Sequence, residues 1–316
     1  MKIVLINTLY VEESSLLELK STLKSMGHLF SYYLVKPQNN KDYINRIKNA
    51  DVLIVDNTPT SKAVLQEATH LKYIDVAFTG FDHIDIDYCI ERGIKVSNAS
   101  GYSTESVSEL TIGLIIAYLR KIPLFDTMTR LSYDKKEILG TELSRKTIGI
   151  FGFGKIGRRV AELLKSFNVE ILATSHNTIK NKPCYVEEVN FQELLKRSDI
   201  ITIHAPLNSE TRNLFDYKTL LLTSKNPVII NTARGHIINQ DGLIKALDLR
   251  VIDGAALDVY DIEPPLKANL ELLQMPNVVL LPHVGYFTKE AMKKRFDIIK
   301  DNLLSYINGD IKNRVA

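Results

Sequence analysis

The sequence predicts an α/β chain built on two doubly wound parallel sheets, and three observations carry that prediction. Short β-branched runs alternate with longer amphipathic stretches along almost the whole length. The alternation comes in two series, separated by one long apolar helical stretch. At 316 residues, 45% of them hydrophobic, the chain also exceeds what one core usually organises, so two domains are expected. Parallel neighbours need crossover connections, which the amphipathic stretches supply, and such crossovers are right-handed.

The first series runs KIVLI, FSYYLV, DVLIVD, YIDVAF and KVSNA, five strand candidates within residues 1–98. A helix is expected next, from Ser103 to Leu119. The cap-like order Ser103, Thr104, Glu105, Ser106 opens it, and Val107, Leu110, Leu114 and Ile115 follow at helical spacing. The second series reads KTIGIFGFG, VEILATS, DIITIHAP, PVIINTARG, VIDGAALDV and NVVLLPHVG, six strand candidates. After Gly285 an amphipathic helix is expected from Lys289 to Ile307, apolar at Ala291, Met292, Phe296, Ile299 and Leu303, and able to return to the first domain. The expected division is therefore 1–98 plus 287–316 for one domain and 99–286 for the other.

Composition narrows the function classes. The 40 basic and 37 acidic residues are scattered, with a net charge of +3 and no basic stripe or tail, so neither nucleic acid nor a membrane surface is an expected partner. Cys89 and Cys184 stand far apart and outside any Cys/His ligand spacing, so no disulfide framework and no metal site is expected. The N-terminal MKIVLINTLYVEESSLLEL reads as a first strand rather than a signal peptide, and no apolar run reaches membrane-spanning length. A cytoplasmic location is the expectation.

The most informative short segment opens the second series. Thr147–Phe151 has a buried-strand pattern, Gly152, Gly154 and Gly157 form GxGxxG, and Arg158 onward continues as a helix. The first glycine permits a tight turn, the second lets a pyrophosphate approach the backbone, and the third lets helix and strand pack closely. Phosphate then lies at a helix N-terminus. Six strands are what a full dinucleotide-binding, Rossmann-like sheet requires. About 20 residues on, a carboxylate would normally meet the adenosine ribose hydroxyls. Here the strand end reads Thr174, Ser175, His176, Asn177, with no carboxylate until Glu187. Ser175, His176 and Asn177 could instead donate to a ribose phosphate, so NAD(P)H is the expected cofactor with NADP mildly favoured over NAD. The absence of an arginine there keeps NAD open.

Taken in order, TGFDHIDID at 79–87, SVSELT at 106–111, GFGKIG at 152–157, HAPLNSET at 204–211, NTARG at 231–235, ALDVYDIEP at 256–264 and LPHVG at 281–285 resemble the D-isomer-specific 2-hydroxyacid dehydrogenase family, glycerate, hydroxypyruvate and glyoxylate reductases among them. The resemblance covers nearly the whole chain. It implies a flavodoxin-like substrate domain beside the dinucleotide-binding domain, and a catalytic set at Arg234, Glu263 and His283. Those residue types suit the chemistry. Arginine offers a permanent planar charge to a substrate carboxylate. Histidine can protonate a developing alkoxide, and a neighbouring carboxylate orients the ring and holds its charged form. All three follow apolar strands, where open α/β sheets place ligands.

The resemblance further implies substrate contacts from the Thr79 and Gly80 backbone, with Phe78 and Tyr102 lining the pocket. For the cofactor it implies Thr104, Lys155, Ile156, His204, Ala205, Pro206, Thr211, Thr232 and Ala233, with Asp258 at the nicotinamide carboxamide and His283 beside it. A lysine that phosphite-oxidising members carry in the Thr79 loop is missing, and position 263 is not the glutamine of formate-oxidising members, so those two substrates are not expected. A homodimer is expected, with 110–139 as a source of interface, and closure of the two domains is expected to exclude water. The competing expectation is a redox-sensing corepressor of the same fold, disfavoured by the compact length.

Overall fold

The computed structural model describes residues 1–268 and 270–316, which divide into two compact units: Met1–Ser103 with Phe287–Ala316, and Thr104–Tyr286. The first break falls at 103/104, five residues past the expected 98, because the chain leaving the last strand stays tied to its neighbours. The Ala99 N–H donates to the Phe78 carbonyl at 3.0 Å, and the Asn98 amide donates to the Thr79 carbonyl at 2.7 Å.

In the first unit, β1 (Lys2–Leu5), β2 (Leu29–Tyr32), β3 (Val52–Val55), β4 (Tyr73–Val76) and β5 (Lys95–Asn98) form a parallel sheet in the order β2-β1-β3-β4-β5. That is the flavodoxin-like order. VLIV of β3 and YIDV of β4 are buried at every position, as strands covered on both faces must be. The C-terminal helix spans Lys289–Ile307, the expected bounds, with the Thr288 hydroxyl capping its start at Ala291 N–H. It packs on the first-unit sheet, where the Asn302 amide donates to Asp75 at 3.0 Å and to the Asn98 carbonyl at 3.1 Å, and Tyr306 stacks on Tyr73. The final residues pair with β5, Val315 N–H donating to Val96 O at 2.8 Å.

In the second unit, β6 (Thr147–Phe151), β7 (Glu170–Thr174), β8 (Glu187–Glu188), β9 (Ile200–Ile203), β10 (Val228–Asn231), β11 (Gly254–Leu257) and β12 (Val278–Leu280) form a parallel sheet ordered β12-β11-β10-β9-β6-β7-β8. This is the dinucleotide-binding order with one strand added. The expectation of six strands is corrected to seven. The missed strand, β8, is two exposed glutamates at the sheet edge, with no apolar run to mark it. Charge and brevity are how edge strands are protected. Arg197 clamps it, donating to Glu187 at 2.7 Å and to Glu170 of β7 at 2.6 Å.

The long helix spans Thr104–Leu119, leaving Ser103 outside. Val107 is buried, and Leu114, Ile115 and Leu119 join the core of the unit. The chain breaks at Lys121, whose φ is 54°, and continues as a second helix over Ile122–Arg130. Among the described residues, no helix is long and apolar enough to cross a membrane.

Candidate active site

The second-unit sheet reverses its winding between β7 and β9, on either side of β6, and the GxGxxG turn leaves β6 at that point. Gly152 has φ 95°, open to glycine at no cost, and a Cβ there would collide with the backbone of His204 and Ala205. A Cβ on Gly157 would strike the Gly152 carbonyl, so this glycine lets the helix Lys155–Leu164 approach the turn. Gly154 differs from both: a Cβ there would meet nothing within 4 Å, and the residue is exposed at the helix start, beside Lys155 and Ile156. The turn thus presents open space before a helix N-terminus, the arrangement a pyrophosphate fits.

The neighbouring loop after β9 is fixed from within. His204 N–H donates to the Phe151 carbonyl at 2.7 Å, and its Nε2 lies 2.8 Å from the Thr202 hydroxyl. Burial pushes the His204 imidazole down to about 3, so the ring is neutral at physiological pH. Thr211 closes the loop by donating to the Pro206 carbonyl at 2.7 Å.

Arg234, Glu263 and His283 lie beyond β10, β11 and β12, which are successive neighbours in the sheet, so their turns share one edge at about 4.8 Å per strand step. The buried Asn231 side chain shapes the first turn, accepting from Ala233 N–H at 3.0 Å and donating to the Arg234 carbonyl at 2.9 Å. Gly235 follows because the turn lies directly on the Tyr260 backbone, leaving no room for a Cβ. Thr232 is buried against the Thr111 hydroxyl at 3.2 Å.

His283 adopts φ 57°, a left-handed conformation that histidine tolerates better than most side chains. The buried Asp258 carboxylate holds the turn, accepting from Val284 N–H at 2.8 Å and Gly285 N–H at 2.7 Å. Burial raises the Asp258 pKa, an effect that these two donors oppose. His283 Nδ1 lies 2.8 Å from Glu263 Oε2, with the Tyr286 ring edge-on at 5.4 Å. A carboxylate accepting a hydrogen bond from Nδ1–H leaves Nε2 as the atom that receives a proton in the neutral ring and gives one from the imidazolium.

Residues 112–285 match the model of the NAD-binding domain of the D-isomer specific 2-hydroxyacid dehydrogenases, more than half of the chain. The chain belongs to that family. By that membership it is an NAD-dependent oxidoreductase of the CH–OH class. It is 36% identical to a glyoxylate reductase of Thermococcus litoralis over 85% of this chain and 84% of that protein. It is 38% identical to a D-3-phosphoglycerate dehydrogenase of Methanocaldococcus jannaschii over 87% of this chain, which spans about half that relative's length (53%). Among solved structures, an acyclic imino acid reductase in complex with NADPH and D-Arg superimposes with a TM-score of 0.89 at 30% identity, covering 100% of both chains.

Two features of this dehydrogenase were not visible to sequence reasoning. At the end of β7, where Ser175, His176 and Asn177 are exposed, a carboxylate arrives from another loop: Glu210 Oε2 lies 3.0 Å from His176 Nδ1. The spacing of 34 residues hides it, although its place in HAPLNSET beside Thr211 was a signal. The second feature is Arg295. In the first unit, Phe78 and Tyr102 are buried, their rings 6.1 Å apart and near perpendicular, while Thr79 and Gly80 are half-exposed. Over those rings, at 5.4 and 5.8 Å, lies the guanidinium of Arg295, itself only 1% exposed and donating to the Leu9 carbonyl at 2.6 Å. Its position between Met292 and Phe296 on the apolar helix face was the available clue.

Proposed function

We propose that this enzyme transfers a hydride between NAD(P)H and a small 2-oxo acid, giving the D-2-hydroxy acid, with glyoxylate- or hydroxypyruvate-like substrates favoured. The observation that carries the reading is the Glu263–His283 pair at 2.8 Å, on the same sheet edge as Arg234. The relatives named for glyoxylate reduction support the substrate class.

The nicotinamide, when bound, supplies the hydride. Everything else falls to the chain's own groups. The Gly152–Gly157 turn and the helix start behind it would hold the pyrophosphate, with Thr104, Thr232 and Ala233 further along the same unit as proposed cofactor contacts. Arg234 binds the substrate carboxylate and polarises the 2-oxo group, and the Thr79 and Gly80 amides are further proposed substrate contacts. His283, as the imidazolium, gives from Nε2 the proton that the reduced oxygen needs and becomes neutral, while Glu263 accepts from Nδ1–H, orients the ring and offsets the charge of its protonated form. Asp258 fixes the turn that carries His283. We also propose a homodimer, built on the exposed apolar side chains Ile122, Leu124, Leu131, Tyr133 and Leu139.

NADPH is read as being used at least as well as NADH, because Ser175, His176 and Asn177 offer donors to a ribose phosphate. The deciding experiment is a turnover assay with both cofactors against a panel of 2-oxo acids, followed by chiral analysis of the product. Cofactor oxidation that depends on the 2-oxo acid is expected, with the D-isomer from every substrate whose product is chiral, as hydroxypyruvate's is and glyoxylate's is not. Binding of cofactor with no turnover on any 2-oxo acid, or formation of the L-isomer, would overturn the reading.

A further inference from the structure

We propose that Glu210 sets the cofactor discrimination of this enzyme, acting as a counter-charge that limits acceptance of a 2′-phosphate on the adenosine ribose. The inference rests on the cofactor reading above and deepens it. In sheets of this order, the residues at the end of the second strand of the winding meet the adenosine ribose, and the residue type there decides between hydroxyl and phosphate. In this chain that strand is β7, and its end offers only neutral or basic donors: Ser175, His176 and Asn177. The negative charge comes instead from the loop after β9, with Glu210 Oε2 3.0 Å from His176 Nδ1.

Both sides of this pair are held. Glu210 N–H donates to Asn208 Oδ1 at 2.9 Å, Asn208 N–H donates to the Thr211 hydroxyl at 2.9 Å, and that hydroxyl donates to the Pro206 carbonyl at 2.7 Å. The loop following β7 is pinned by Arg158, which donates to the carbonyls of Lys180 at 2.6 Å and Asn181 at 3.1 Å while its guanidinium lies over the Phe153 ring. Arg158 is thereby turned to backbone carbonyls. With Glu210 against it, His176 has its Nδ1 taken and a carboxylate beside it where an incoming phosphate would lie, and that carboxylate stands able to accept from a ribose hydroxyl. A like-charge contact between a carboxylate and a phosphate near a protein surface changes affinity by about tenfold.

The test compares binding of adenosine 2′,5′-bisphosphate and 5′-AMP by isothermal titration calorimetry in the wild type, Glu210→Gln and His176→Ala, alongside kcat/KM for NADPH and NADH. Glu210→Gln is isosteric and exposed, and an unchanged Tm confirms that it folds. It should shift the bisphosphate-to-AMP affinity ratio, and the NADPH-to-NADH ratio with it, about tenfold toward the phosphorylated form. The shift should shrink as salt is raised, which a packing effect would not do. His176→Ala should move both ratios the opposite way. An unchanged ratio in Glu210→Gln overturns the proposal while leaving the cofactor site standing. A wild type that binds neither nucleotide nor either cofactor overturns the cofactor reading itself.

Discussion

At the scale of single residues, the site is built by side chains that spend their polar atoms on backbone. Asn231 clips the Arg234 turn and Asp258 clips the His283 turn, so buried polar side chains set the backbone that carries the two groups proposed to meet the substrate. Asp258→Asn replaces an acceptor oxygen by a donor and orphans one of two buried N–H groups. It should cost about 1–3 kcal/mol in urea denaturation and lower kcat more than cofactor affinity. Gly235→Ala should destabilise by about 1–3 kcal/mol as well, since the added methyl meets the Tyr260 backbone. Thermal melts of the two variants check both figures. The places of Arg234, Glu263 and His283 beyond successive strands were legible because each follows an apolar run. Glu210 and Arg295 were not, because their partners are neighbours in space and not in sequence.

At the scale of elements, nearly every strand could be read from β-branched runs, and the C-terminal helix from its 3.6-residue period. β8 failed because a two-residue edge strand has no period to detect. Asp75 tests how a charge is tolerated inside such an element. It lies in β4, where every position is buried, and accepts from the Asn302 amide. Burial raises its carboxyl pKa well above the usual carboxylate range. A raised pKa means the folded state holds its proton more tightly than the unfolded chain does. The associated stability is therefore full below the ordinary carboxylate pKa and is lost as pH rises through the raised value. Asp75→Asn mimics the protonated form and escapes that loss. Its Tm relative to wild type should rise with pH, and a gap that stays constant from acid to alkaline pH would contradict the assignment.

At the scale of the whole molecule, two sheets of different winding order come from one chain whose final segment, Phe287–Ala316, returns to the first unit. The proposed dimer is checked by light scattering. Wild type should run at twice the chain mass, and Ile122→Glu with Leu131→Glu should run at the chain mass with the fold intact by circular dichroism. The central claim is that His283, oriented by Glu263, is the acid that completes reduction of a 2-oxo acid. The measurement that tests it most directly is single-turnover oxidation of bound NADPH on mixing with glyoxylate, comparing wild type with His283→Ala, with cofactor binding followed separately by fluorescence. In His283→Ala the rate should fall by about 10² to 10⁴ with cofactor affinity preserved. Equal rates in the two proteins would contradict it.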